Sequence, residues 1–328
     1  MKRSLPFALA LAAMASVQQV AAAPQEAVSE LLVQDERLAA VAERLLSSNA
    51  RLCRQTMPLT GMVIHSRDQY SASSAHGLFA NGPVEVALVL PGSAAQRAGV
   101  RPGDGLVGIG TLRTSGLQAE GEAPLRDTIF DTLATAWPGV GALTLTIARE
   151  GEERKVVLEP PPGCRALVEI RTRDSLTARS DGRVIQLDYG LVAAATDEEL
   201  AVIFSHELAH SVLEHRRRLD AAGVRKGFFG EFGRNRRLNR QVEVEADRLM
   251  VHLLANAGYD PQVAATFWRS RLARRATGGL NLSAIYPSNE ARARMLEKEI
   301  ADYLPTRAGP TYPQHLLAGR DLPFPSSR

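Results

Sequence analysis

Thr196-Asp197-Glu198-Glu199-Leu200-Ala201-Val202-Ile203-Phe204-Ser205-His206-Glu207-Leu208-Ala209-His210 is the stretch on which the reading of this sequence turns. Thr196 suits a helix N-cap, Glu199 completes a capping box three residues on, and the acidic first turn complements the helix dipole. Four-residue spacing then sets His206 and His210 on one helical face, stacked so that both rings can reach a single Zn2+ ion. Glu207 lies beside them, placed to take a proton from an attacking water and pass it to a leaving amine.

A third ligand sorts the class. The metzincin pattern needs Gly three residues and His six residues after the second histidine, and Leu213 and Arg216 hold those positions. Glu243-Val244-Glu245-Ala246-Asp247 offers another solution on a second helix, which runs on through Leu249, Leu253 and Leu254 to a Gly258-Tyr259-Asp260-Pro261 stop. Glu243 can supply a carboxylate oxygen to the metal. Asp247, one turn on, can hold a ligating imidazole by its other nitrogen. Glu245 points elsewhere on that helix and is the less favoured ligand. His215 and His252 flank the two helices without ligand spacing and read as surface or satisfied core histidines.

These segments together resemble the HtpX, BepA and CAAX prenyl protease family of zinc metallopeptidases, gluzincins that hold zinc with two histidines and a glutamate. The resemblance spans about 175–300, and Gly182 to Gly190 resembles the family's strand before the catalytic helix. It implies His206, His210 and Glu243 as ligands of one Zn2+ per chain, Glu207 as general base and Asp247 behind the ligands. Where the family often carries Ser-Thr-His-Pro, this sequence has Ser283-Ala284-Ile285-Tyr286-Pro287-Ser288, with Arg292 in place. Tyr286 therefore stands where a histidine is usual, and its hydroxyl is a candidate donor to an oxyanion or a cover for the metal.

Upstream, the chain changes character. Lys2 and Arg3, an apolar run from Leu5 to about Val17 and small residues up to Ala23 read as a signal peptide over 1–22. Residues 23–57 carry an amphipathic helix, with Val28, Leu31, Leu32, Leu38, Val41, Leu45 and Leu46 at three- and four-residue steps. Residues 58–162 hold strand-like runs at Val84–Val89 and Leu143–Ile147, separated by Pro91-Gly92-Ser93 and by Gly99-Val100-Arg101-Pro102-Gly103-Asp104. This pattern, with a helix expected over Leu125–Ala136 and a hairpin turn at Arg149-Glu150-Gly151-Glu152, resembles a PDZ domain. Such a domain would take an extended peptide beside an exposed sheet edge, with its carboxylate-binding loop expected within Ser74–Asn81. Pro160-Pro161-Pro162-Gly163 reads as a stiff linker into the metallopeptidase domain at 163–305. A tail over 306–328, rich in Pro and polar residues, reads as extended or disordered.

The expected fold class is thus α+β: a mainly helical zincin-type domain plus a small β-rich domain of PDZ type. Cys53 and Cys164, the two cysteines of the chain, read as one disulfide formed in an oxidising compartment. The sequence is therefore expected to be exported, periplasmic and soluble after signal-peptide cleavage, since no other segment approaches membrane-spanning length. A net charge of +3 over 328 residues does not indicate a nucleic-acid partner. Expected partners are protein or peptide substrates and a PDZ peptide ligand. A basic stretch from Arg216 to Arg240 enclosing Gly227-Phe228-Phe229-Gly230 adds contact with a membrane or outer-membrane protein. Two functions follow: an exported endopeptidase acting in envelope protein quality control, or a PDZ-mediated binding or chaperone-like protein with a suppressed protease site.

Overall fold

The computed structural model describes residues 24–72, 74–75, 77–224, 233–278, 288–304 and 310–324. The signal peptide expected over 1–22, the Gly/Phe stretch and Tyr286 lie outside the described residues. Among the described residues no helix is long and apolar enough to cross a membrane.

The chain opens with α1 (Pro24–Ser48), then β1 (Thr56–Pro58) and β2 (Met62–Ser66). A β-rich unit follows: β3 (Val84–Val89), α2 (Ala94–Arg97), β4 (Gly105–Ile109), β5 (Leu112–Arg113), α3 (Leu125–Ala136), β6 (Leu143–Arg149) and β7 (Glu152–Leu158). Its sheet is antiparallel in the order β2-β3-β4-β6-β7, with β5 paired to β4, so β2 and β7 are its edges. Alternating side chains of the strands, among them Val84, Val86, Leu106, Leu145 and Ile147, bury against Ile129 and Leu133 of α3. Glu150 and Gly151, both at positive φ, make the tight turn between β6 and β7.

The helical unit begins at β8 (Pro162–Cys164), β9 (Leu167–Arg171), β10 (Ala178–Ser180) and β11 (Val184–Asp188). Here β11 pairs in parallel with β9 and antiparallel with β10, leaving β10 at an edge. Then come α4 (Tyr189–Ala194), α5 (Asp197–Val212), α6 (His215–Ala221), α7 (Gly233–Asn256), α8 (Gln262–Arg269), α9 (Arg271–Gly278), α10 (Asn289–Tyr303) and α11 (Gln314–Leu317). Phe204, Leu200 and Leu208 of α5 share one core with Leu249, Leu253 and Leu254 of α7 and Leu296 of α10. Helix α1 belongs to this core through Leu38, Leu45 and Leu46. Polar side chains fasten it there: Arg37 donates to Ala195 O and Asp197, Arg44 to Ala257 O, and Asn49, just past its end, to Leu253 O.

Three expectations need correction. Pro162–Cys164 is not a linker but a strand, paired antiparallel with Thr56–Pro58. Proline is tolerated because the ribbon has only two strands, and Leu59 and Arg165 supply the flanking N–H bonds. The tail expected to be extended or disordered over 306–328 instead carries α11 and a 3-10 turn at Ala318–Asp321, with Leu316, Leu317 and Phe324 buried. A helix of four residues is too short to show periodicity, and its order comes from long-range packing. The loop around Ser74–Asn81 is not free to hold a peptide carboxylate by its amides at Phe79 and Asn81. Both N–H groups already donate to the Glu85 carboxylate.

Cys53 and Cys164 form a disulfide, with Cα atoms 5.4 Å apart, directly beside the β1–β8 ribbon. The bond closes a loop of sequence separation 111 that contains the whole β-rich unit. Chain entropy alone sets an upper contribution of about 5 kcal/mol for such a loop, and measured values are usually about 2–4 kcal/mol. The double substitution Cys53→Ala/Cys164→Ala is expected to lower unfolding free energy by that smaller amount. Urea denaturation should show it, and the wild type in reductant should match the variant.

Candidate metal centre

The capping box foreseen at the start of α5 is formed: Thr196 Oγ1 accepts from Glu199 N, and Glu199 Oε2 accepts from Thr196 N. From that fixed start α5 delivers His206 and His210 onto the face that packs along α7. His206 Nε2 and His210 Nε2 are 3.2 Å apart, and Glu243 of α7 sets its carboxylate oxygens 3.2 Å from the first and 3.7 Å from the second. Donors around one tetrahedral zinc, at about 2.0–2.1 Å each, lie about 3.3 Å from one another. The spacing and the borderline nitrogen–oxygen set therefore both fit Zn2+.

Each imidazole is also held from behind. His206 Nδ1 donates to Asp247 Oδ1 at 3.0 Å, which leaves Nε2 to face His210 and Glu243. Asp247 is fully buried, and Arg292 of α10 grips it with Nε and Nη2, both at 2.6 Å. Arg292 in turn lies over the Trp268 ring at 3.4 Å. On the other side His210 Nδ1 is 2.9 Å from His215 Nδ1. With His210 Nε2 turned to the ligand cluster, its Nδ1–H donates to His215, whose Nε2–H then donates to Glu245 at 3.1 Å. Arg218 and Gln241 complete the Glu245 carboxylate at 2.7 Å and 2.6 Å.

His215 thus has a place at the site that its spacing did not reveal. Glu245 points away from the ligand cluster, as expected, but it anchors His215. The reason is a break in the helix. Leu213 ends α5, and Glu214 takes a left-handed conformation (φ 56°), so α6 turns and brings His215 back against His210.

The charges around the cluster are unequal. Burial disfavours a charge on His206, but its bonds to Asp247 and Glu243 prevail and raise its pKa to about 10. His210 goes the other way, to about 3, from burial and then from the neighbouring His206 and His215. Glu243 and Asp247 are both held near 2. For each, burial pushes upward, and the neighbouring imidazoles of His210 and His206 for Glu243, and the Arg292 guanidinium and His206 for Asp247, outweigh it. Burial raises Glu207 to about 7, aided by Glu243 and opposed by His206 and Arg292. Without metal, then, the cluster stores one proton on His206.

A cleft of about 490 Å³ opens over these residues. Val202, Met250, Phe267 and Trp268 give it apolar walls, and the edge strand β10 forms one lip with Ala178, Arg179 and Ser180.

Two curated proteins resemble this chain, and no family model matches it. The mitochondrial metalloendopeptidase OMA1 of Schizosaccharomyces pombe (strain 972 / ATCC 24843) is 27% identical over 137 residues, covering 36% of this chain and 41% of the relative. The Arabidopsis thaliana protein of the same name is 28% identical over 144 residues, covering 35% of this chain and 28% of the relative. The chain spans less than half the length of either. At the coarse level the likeness supports a metallopeptidase.

The stored proton gives a measurable consequence. Zinc must displace it, so the apparent Kd for Zn2+ is expected to fall about tenfold for each pH unit gained between pH 6 and 9. Chelator competition across that range would expose the opposite case, a flat profile. Removing the support of His210 should also weaken the metal: His215→Ala is expected to cost about 10–100-fold in zinc affinity while secondary structure is kept, read by the same competition and by circular dichroism.

Proposed function

We propose that this chain is an exported zinc-dependent metalloendopeptidase acting on protein substrates, with its β-rich unit as a docking module. The observation that carries this reading is the convergence of His206, His210 and Glu243 at zinc-ligand spacing with Glu207 alongside, in a cleft lined by the edge strand β10. Zn2+ bound there would act as a Lewis acid toward the scissile carbonyl and the attacking water. Glu207, with a pKa raised to about 7, suits a group that accepts a proton and returns it to the leaving amine near neutral pH. Asp247 and His215 fix which nitrogen each ligand presents. Among the described residues strand β10 has a sheet partner, β11, on one side only, so an extended substrate could add to the sheet with its side chains alternating into the apolar walls.

The resemblance to HtpX, BepA and the CAAX prenyl proteases is the finer form of this reading, and envelope protein quality control its physiological form. The Cys53–Cys164 bond supports an oxidising, exported location. For docking, the β-rich unit pairs an edge strand, β2, with α3 across a cavity of about 190 Å³, the arrangement in which PDZ-type modules take peptides. Helix α1 closes that cavity from the far side through Leu31, Leu32, Asp35 and Leu38. Helix α3 also touches the helical unit, where Asp131 accepts from Arg165 at 2.7 Å and Arg183 at 2.9 Å. A peptide in the groove would therefore press on elements that carry the cleft.

Zinc content and proteolysis of the wild type and Glu207→Gln test the central reading. Both proteins are expected to hold zinc, with the variant's casein cleavage reduced about 10²–10⁴-fold. An unfolded envelope protein replaces casein if the latter is ignored. Zinc without cleavage of either substrate by the wild type would favour the binding or chaperone-like function.

A further inference from the structure

A second set of ligating side chains converges away from the cleft, where α7, α10 and α11 meet. His252 comes from α7, Glu299 from α10 and His315 from α11, and one donor atom of each lies within 4.8 Å of the other two. Glu299 Oε1 is 3.1 Å from His252 Nε2 and 2.7 Å from His315 Nε2. His252 and Glu299 are buried, whereas the His315 side chain is 25% exposed.

We propose that His252, Glu299 and His315 form a second metal site, suited to a divalent ion of borderline softness such as Zn2+, which fastens the C-terminal segment to the helix bearing Glu243 and Asp247. Two imidazole nitrogens and one carboxylate oxygen are the same donor set as in the cleft, and that set suits zinc. The nitrogen–oxygen spacings of 3.1 Å and 2.7 Å are shorter than the roughly 3.3 Å expected around a shared zinc, so an outward shift of about half an ångström on the His315 side admits the ion.

The atoms of His252 and Glu299 that do not face the cluster are already committed, as they are around metal ligands. His252 Nδ1 pairs with Thr311 Oγ1 at 2.8 Å, and Glu299 Oε2 accepts from Arg248 at 2.7 Å. The His315 ring is stacked on Tyr303, centroids 3.8 Å apart and planes 9° from parallel. Burial pushes the Glu299 carboxyl upward, yet its bonds from His252, Arg248 and His315 hold it near 2, so it stays an anion able to offset a cation. The partial exposure of His315 gives an ion a way in from solvent. The competing arrangement is a hydrogen-bonded hub, in which both imidazoles donate Nε2–H to Glu299 and no metal enters.

Zinc counting on the full chain separates these arrangements, and also separates this site from the cleft. Purified protein is stripped with chelator, reloaded with Zn2+, desalted and assayed by plasma mass spectrometry, with melting followed at rising Zn2+. Wild type is expected to hold two zinc ions, His210→Ala one, His315→Gln one, and the double variant none. Glutamine keeps an N–H donor for Glu299, so His315→Gln should melt near wild type when metal-free while losing the part of the zinc-dependent rise that belongs to this site. Equal zinc in wild type and His315→Gln, with one ion lost in His210→Ala, overturns the second site and leaves the cleft reading intact. A zinc ion lost in His315→Gln but none in His210→Ala upholds the second site and removes the cleft reading.

Discussion

The Asp247 carboxylate is the interaction on which the helical unit depends. It is wholly buried, which would be costly for a lone charge, and it persists because Arg292 and His206 surround it with charge-assisted bonds. Those bonds tie α7 to α10 on one side and to α5 on the other. The apolar core fixes how far apart these helices lie, but it has no directional preference. The carboxylate adds direction: it sets the rotation of the His206 ring, and through Arg292 it stacks α10 against Trp268 of α8. Loss of that anion would strip the buried Arg292 guanidinium and the half-buried His206 imidazole of a shared carboxylate, so the structure and any metal affinity of the cluster would fall together.

Much of this could be read from the sequence because it is local. The capping box at Thr196 and Glu199, the four-residue step between His206 and His210, and the one-turn step from Glu243 to Asp247 each follow from helix geometry alone. The same holds for the helix at Leu125–Ala136 and the turn at Glu150–Gly151. What escaped was set by breaks or by distance. His215 stands five residues beyond His210, a spacing that a continuous helix turns away from the site, and only the left-handed Glu214 brings it back. The Pro162–Cys164 strand exists because Thr56–Pro58 lies opposite, more than a hundred residues away in sequence. The order of α11 likewise rests on its contacts with other helices, which no periodicity in four residues could announce.

The two candidate ligand histidines in the cleft are supported by different chemistry. His206 leans on a carboxylate held by arginine, whereas His210 leans on a neutral imidazole that relays to a carboxylate, Glu245. The direct anion draws positive charge onto His206, while His210 stays neutral. The pair therefore presents one nitrogen whose lone pair is free from the outset and one that must first give up a proton. Metal binding there would then be coupled to pH chiefly through His206.

The ribbon of β1 and β8 also bears on how such a chain can change over time. The polypeptide leaves the helical unit and returns to it at points whose Cα atoms are 5.4 Å apart, with the disulfide closing the gap. A separation of that size is bridged by about two residues of ordinary backbone. The β-rich unit is in this sense a graft at a single port, and excising it would leave no strand to rethread and no helix to reverse. The cost would fall where α3 meets the helical unit, at Phe130 against Leu167 and Val184 and at Asp131 against Arg165 and Arg183, and where α1 lines the shared cavity. A lineage could exchange this module for another, or discard it, by altering those contacts, while the scaffold around Asp247 was inherited unchanged.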